Sequence, residues 1–299
     1  MPALVSVGSK GLPAPGAGFP FDVPVVRALD AMPPLDVDAP VTLLVGENGT
    51  GKSTLLEAIA IAAELRALGA DDPARDPTLA AQRALAERLR LGWRRRTRRG
   101  FFLRAEDFFG WAKARARDDA RTARERRTIG WSPEIRASLV DEATGMHVDE
   151  RDAAARIQDY DARSHGESFL DVFDARVGGD GLFVLDEPEA ALSPQRQLAF
   201  VALVCDRVAT GAQLVIASHA PIVLGLALAV PGARLYALDD GAPRAARWDE
   251  LPHVTLTRDF VLAPERMLRH LRDADVADAA DAADVADAAD AADVADAVR

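Results

Sequence analysis

The residues with the most chemistry in them lie side by side: Gly46, Glu47, Asn48, Gly49, Thr50, Gly51, Lys52, Ser53 and Thr54 form a Gly-x-x-x-x-Gly-Lys-Ser run. The run follows the apolar stretch Val41 to Val45 and opens an apolar helical pattern, the context of a phosphate-binding loop between a strand and a helix. Glycines leave room for backbone N–H groups to curl round phosphate oxygens at the positive end of a helix. Lys52 would reach the β- and γ-phosphates of a nucleoside triphosphate. The Ser53 hydroxyl would meet Mg2+, a hard cation that keeps most of its waters and takes few protein ligands. With three lysines in the whole chain, a chance match of this pattern is remote.

A second group is acidic. Four apolar residues, Leu182 to Leu185, close on Asp186-Glu187-Pro188-Glu189. An acidic pair at the carboxyl end of a buried strand lies at the edge where ligands of open α/β sheets bind. Asp186 would hold Mg2+ through water, and Glu187 would orient and deprotonate an attacking water. His219 follows the apolar run Gln213 to Ala217 after one residue, so a parallel strand there points it at the same edge. A third group, Ser164-His165-Gly166-Glu167-Ser168, precedes the amphipathic run Phe169 to Val177. This suits a helix N-terminus that receives an anion, with Ser164 and the Gly166 amide as donors, although taken alone a plain capped turn is the better reading.

The elements that must position these groups follow from the pattern. Residues 1 to 40 are rich in Pro and Gly, with short apolar pieces such as Phe21 to Val26, and short antiparallel strands fit them best. Val41 to Val45, Leu182 to Leu185, Gln213 to Ala217 and Arg234 to Leu238 read as strands, most of them buried on both faces. A helix runs from Lys52 to near Gly69, and another starts at Ser193-Pro194, with the serine hydroxyl as cap, and closes at Gly211. From Thr78 to about Asp161 charged, alanine-rich helical patterns dominate, with Phe101 to Arg104 as one short strand candidate. The expected fold is therefore α/β: a P-loop sheet, mainly parallel, with N-terminal antiparallel strands and an Arg-rich helical lobe inserted over 78–163.

Composition bounds the rest. With 299 residues and 49% hydrophobic side chains, the chain can bury a full α/β core, here placed at 1–273. The single Cys205 excludes an internal disulfide and suits a buried structural thiol in a reducing, cytoplasmic setting. No stretch reads as a membrane span, since Leu214 to Val230 is broken by His219 and Pro221. The net charge of -11 hides two extremes. Between Arg83 and Arg127, fifteen Arg and one Lys outnumber six acids by ten, while Asp273 to Arg299 holds nine Asp and one Arg. The tail over 274–299 repeats Ala-Asp-Val-Ala-Asp-Ala-Ala-Asp-Ala, which spreads charge all round a helix and leaves no face to bury.

Taken in order, phosphate loop, Ser-x-Gly, Asp-Glu strand and strand-end His resemble the ATP-binding cassette ATPases over about Val41 to Pro221. Gly46 to Thr54 is similar to the Walker A motif, Ser164 to Ser168 to the signature, Leu182 to Glu187 to Walker B, Ala191-Leu192-Ser193 to the D-loop, and His219 to the histidine that senses the γ-phosphate. The Q-loop glutamine is missing, and Glu106 stands nearest its place as a metal-side residue. The signature, with His165 and Glu167, looks closer to stand-alone ATPases allied to the DNA-repair and chromosome-maintenance branch than to transporter subunits. The resemblance implies ATP and Mg2+ as cofactors and a head-to-tail homodimer in which Ser164 and Gly166 of one chain close on the ATP of the other. Two kinds of target are open. The Arg-rich run Arg94-Arg95-Arg96-Thr97-Arg98-Arg99, with Trp93 beside it, suits DNA or RNA phosphates, or else solvated helices with internal ion pairs. Alternatively the lobe grips a protein partner, as in a regulatory or transporter-associated subunit.

Overall fold

The computed structural model describes residues 1–68, 77–104, 165–239 and 241–269. These fall in two compact units, Met1–Trp248 and Asp249–Arg299. In chain order the first unit contains β1 (Leu4–Ser9), α1 (Pro24–Ala31), β2 (Leu35–Asp36), β3 (Val41–Val45), α2 (Lys52–Ala62), β4 (Arg66–Ala67), α3 (Ala80–Arg88), β5 (Leu89–Trp93) and β6 (Gly100–Arg104). It continues with α4 (His165–Arg176), β7 (Leu182–Asp186), α5 (Pro194–Ala209), β8 (Gln213–Ala217), α6 (Pro221–Leu224), α7 (Leu226–Ala229), β9 (Arg234–Ala237) and β10 (Arg244–Ala245). The second unit contributes α8 (Pro252–Leu262), opened by its proline. The division falls where the sheet has ended.

Seven strands form the main sheet in the order β10-β9-β3-β8-β7-β6-β4, and a second sheet has the order β2-β1-β5. All pairs in the main sheet are parallel except β10 with β9, and both pairs in the second are antiparallel. Every residue of β3, β7 and β8 is buried, as expected of strands covered on both faces. The expected mainly parallel sheet with antiparallel N-terminal strands is the architecture found.

Helix α2 lacks a solvent-facing stripe for a reason visible in its surroundings. It touches β5 of the small sheet and β6, β7 and β8 of the large one. Leu55, Leu56, Ala58, Ile59 and Ala60 are all buried, so neighbours cover it on every side. Because α2 carries the phosphate loop at its start, that loop rests on a firmly packed element. Gln213 ties the two sheets together. Its Oε1 accepts from the amides of Ala3 and Leu4 at 2.9 Å each, and its Nε2 donates to the carbonyls of Leu4 at 2.7 Å and Val37 at 3.0 Å. A wholly buried amide is tolerated there because both its ends are satisfied.

Several local expectations are corrected. Pro24–Ala31 is helix rather than strand, with Pro24 in the first turn and Val25, Val26 and Leu29 on one buried face. Helix α2 ends at Ala62, where Glu64 turns left-handed at φ 58°, and not near Gly69. Ser193 stands at the N-cap of α5, but its side chain makes no capping hydrogen bond. Cys205 is only partly buried, its thiol pushed up by desolvation and by Asp206. The stretch expected as the first part of a helical lobe is helix only over Ala80–Arg88. It then supplies a strand to each sheet, β5 at the edge of the small one and β6 between β7 and β4 in the large one, because Leu89-Arg90-Leu91 alternates and Phe101-Phe102-Leu103 is continuously buried. The remainder of 78–163, and the tail over 274–299, lie outside the described residues. Among the described residues no helix is long and apolar enough to cross a membrane.

Candidate active site

The carboxyl ends of β3, β7 and β8 carry the chemistry. The phosphate loop leaves β3, Asp186 ends β7, and Ser218-His219 follows β8. Backbone pairing continues past the strands and fixes their loops: the Glu187 amide donates to the Ala217 carbonyl at 3.0 Å and the Ser218 amide to the Leu44 carbonyl at 3.1 Å. Strand order, with β8 between β3 and β7, thus brings His219 between the phosphate loop and the acidic pair.

Within the loop, Gly49 and Gly51 take φ of 88° and 94°. At Gly51 a Cβ would come within 2.0 Å of Val23 Cγ1, so the glycine is required both by conformation and by the close approach of the chain before α1. The Lys52 ammonium donates to the carbonyls of Gly46 at 2.5 Å and Glu47 at 3.0 Å. Desolvation lowers its pKa, an effect opposed by the fields of Glu187, Asp186, Glu47 and Asp239. The Thr50 hydroxyl donates to the Glu47 carbonyl at 2.9 Å, which closes the loop on itself. Asn48 and Thr54 stand in the loop and in the first turn of α2 as the motif requires.

Burial pushes the Asp186 carboxyl up to about 6, against a hydrogen bond from the Ser53 hydroxyl and with the nearby Glu187 charge adding to the rise. Arg104, opposite Asp186 in the β6–β7 register, and Lys52 pull it back down. Asp186 Oδ1 is buried and has no hydrogen-bond partner. A carboxylate with one orphaned oxygen and a serine hydroxyl beside it is a pair of hard oxygen donors, which fits Mg2+. Glu187 has φ 48° and ψ 52°, a left-handed conformation that costs a non-glycine residue about 1–2 kcal/mol. That turn carries its carboxylate to His219, Oε1 lying 2.6 Å from Nε2.

Gly166 lies in the first turn of α4, with its backbone amide at the helix N-terminus. Phe169 and Phe173 of α4 pack with Phe200 of α5, ring centroids 6.1 and 5.0 Å from Phe200, which fixes that helix beside the turn after β7. Ser164 and Glu106, named from the sequence as anion-binding and metal-side residues, lie outside the described residues. Motif reading missed two others. Glu189 bonds the His219 loop through its carboxylate, and Arg104 pairs with buried Glu57 of α2, which also accepts from Gln82 at 2.8 Å. A charge within the apolar run of a helix, at Glu57, was the available signal for the second.

Residues 29–75, which include the whole phosphate loop, match the family model of an AAA domain. Over this stretch the chain is similar to a P-loop AAA domain, and the acidic pair and histidine are gathered at the same sheet edge as the phosphate loop. Solved structures similar to this chain include a nucleotide-free ATP-binding cassette from an ABC transporter, 16% identical over 83% of this chain and 92% of that one, with a TM-score of 0.41. Another is cbiO1 of Clostridium perfringens, part of the ABC transporter complex cbiONQ, 15% identical over 91% of this chain and 100% of that one, with a TM-score of 0.36. No curated protein matches the sequence.

The basic run has partners of its own. Arg94 makes a two-pronged pair with Asp38 at 2.8 and 2.6 Å, Arg95 meets Asp180 at 2.8 Å, and Arg96 and Arg98 share Glu64 at 2.7 Å each. Arg94 and Arg95 hold the carboxyls of Asp38 and Asp180 below the usual range. These pairs leave the β5–β6 connection for acids far away in the chain, so they are not the i to i+4 pairs on solvated helices that the sequence suggested.

Proposed function

We infer that this chain binds ATP at Gly46 to Thr54, with Mg2+ on Ser53 and Asp186, and hydrolyses it with Glu187 as general base. Lys52 neutralises the β- and γ-phosphates, and His219 orients Glu187 and meets the γ-phosphate. Held there, Mg2+ would supply charge neutralisation and ordered water. The single observation that carries this reading is the 2.6 Å hydrogen bond between Glu187 and His219, made across adjacent strand ends beside buried Lys52 and Asp186. The site is completed in trans, with Ser164 and Gly166 of a second chain donating to the γ-phosphate, so ATP acts as the bond between two copies. Four arginines of the basic run are already matched by acids, which favours a protein partner over nucleic acid as the target of this run, the second reading beside an ATPase acting on nucleic acid.

Glu187→Gln keeps the shape but removes the base, a change that general-base catalysis values at about 10²–10⁴ in rate. The mutant is expected to run as an ATP-dependent dimer in size-exclusion chromatography with light scattering, and adding Ser164→Arg should disperse it. A slow mutant that stays monomeric with MgATP at micromolar concentration would refute the shared site and leave ATP binding intact.

A further inference from the structure

Glu189 is bound to the backbone of the same histidine whose ring meets Glu187. It stands two residues after Glu187, in the single 3-10 turn Pro188–Ala191. Its Oε1 accepts from the Ser218 hydroxyl at 2.8 Å, from the His219 amide at 2.8 Å and from the Ala220 amide at 3.2 Å. Three donors on one carboxylate oxygen form a charge-assisted cluster, each bond about twice as strong as its neutral counterpart. Oε2 is buried without a partner, so nothing else draws the carboxylate to this place. The turn that carries it is itself closed by the Ala190 amide on the Glu187 carbonyl at 3.0 Å and the Leu192 amide on the Glu189 carbonyl at 2.8 Å.

We propose that Glu189 is a positioning residue for His219: it holds the backbone of the histidine while Glu187 holds the ring, so that the turn after β7 and the loop after β8 act as one body. The proposal rests on the ATPase reading of His219. Its consequence is directional. Any shift of Ala191-Leu192-Ser193, which continue the same turn, reaches the His219 backbone through the Glu189 carboxylate in addition to the sheet pairing of Glu187 with Ala217. A residue that merely caps the short helix α6 would be needed for stability and indifferent to the reaction, and this difference is measurable.

Steady-state ATP hydrolysis by Glu189→Ala, Glu189→Gln, His219→Ala and the Glu189→Ala/His219→Ala double variant of the full chain decides the matter, with thermal unfolding of each. Misplacement of a reacting group by about 1 Å costs about a hundredfold, so Glu189→Ala should lose about tenfold to a hundredfold in kcat with KM for ATP within about twofold of wild type. Glu189→Gln, whose amide oxygen still accepts, should recover most of the rate. The double variant should be no slower than His219→Ala alone, because the two residues act through one position. If Glu189→Ala is fully active while His219→Ala is slow, or if the two losses multiply, the proposal is overturned. If His219→Ala is itself fully active, the reading beneath it falls instead. Should Glu189→Ala fail to fold, Glu189→Asp keeps the charge but shortens the reach; a folded, fully active Glu189→Asp would overturn the proposal equally.

Discussion

A carboxyl buried at a strand end behaves unlike one in water, and Asp186 makes stability depend on pH in an unusual direction. Its folded pKa of about 6 exceeds the ordinary value of 3.8, so between those pH values the folded chain holds a proton that the unfolded chain has released. Stability then falls as pH rises from about 4 to about 6 and stays lower above, by an amount on the order of 3 kcal/mol for two pKa units. Asp186→Asn has no charge to bury. In Mg2+-free buffer it is expected to melt higher than wild type at about pH 7.5 and to differ little at about pH 4, where both carry a neutral group. Added Mg2+ should stabilise wild type and leave the variant unmoved. A variant that melts lower than wild type at both pH values would show that Asp186 is held by partners rather than penalised by burial.

At the scale of elements, the phosphate loop is rigid because its flanks are. Helix α2 is enclosed by two sheets, and β3 is paired on both edges. The pairing of β6 with β7 depends on one residue in a similar way. Gly100 has φ 131°, and a Cβ there would fall 1.7 Å from the Leu182 carbonyl oxygen of β7. Backbone cannot yield as a flexible side chain does. Gly100→Ala is therefore expected to cost about 2–4 kcal/mol through strain and a displaced strand, and to move Arg104 away from Asp186 and Glu57. Urea unfolding checks the first effect and the pH dependence of stability the second. A loss under about 0.5 kcal/mol, the range of harmless surface changes, would mean that β6 pairs more loosely than the register indicates.

At the scale of the whole molecule, four arginines join distant parts of the chain. Arg94, Arg95, Arg96 and Arg98 link the β5–β6 connection to Asp38 before β3, to Asp180 before β7 and to Glu64 after α2, three separate points on the surface. Replacing all four by Gln is expected to lower the melting temperature and to leave any affinity for double-stranded DNA at low salt unchanged. The opposite result, an unchanged melting temperature with weaker binding and a flatter salt slope, would show that these guanidinium groups face phosphates.

What the sequence by itself determined is what is local. A phosphate loop needs its glycines, lysine and serine in one uninterrupted turn, and an acid pair or histidine at the end of an apolar run needs only the strand before it. Lys52, Asp186, Glu187 and His219 could thus be named from spacing alone, and the buried runs of β3, β7 and β8 announced a parallel sheet. The helical pattern from Thr78 onward misled because alanine and arginine favour helix wherever packing does not intervene. Here β1 and β7 offered unpaired edges, and pairing outweighed propensity. Only the tertiary structure decided that β8 lies between β3 and β7, that the Arg run is spent on Asp38, Asp180 and Glu64, and that Glu189 holds the His219 backbone. Each of these joins residues far apart in the chain, and no periodicity encodes such a meeting: it comes from the order in which strands pack, the physical step that converts separate motifs into one site.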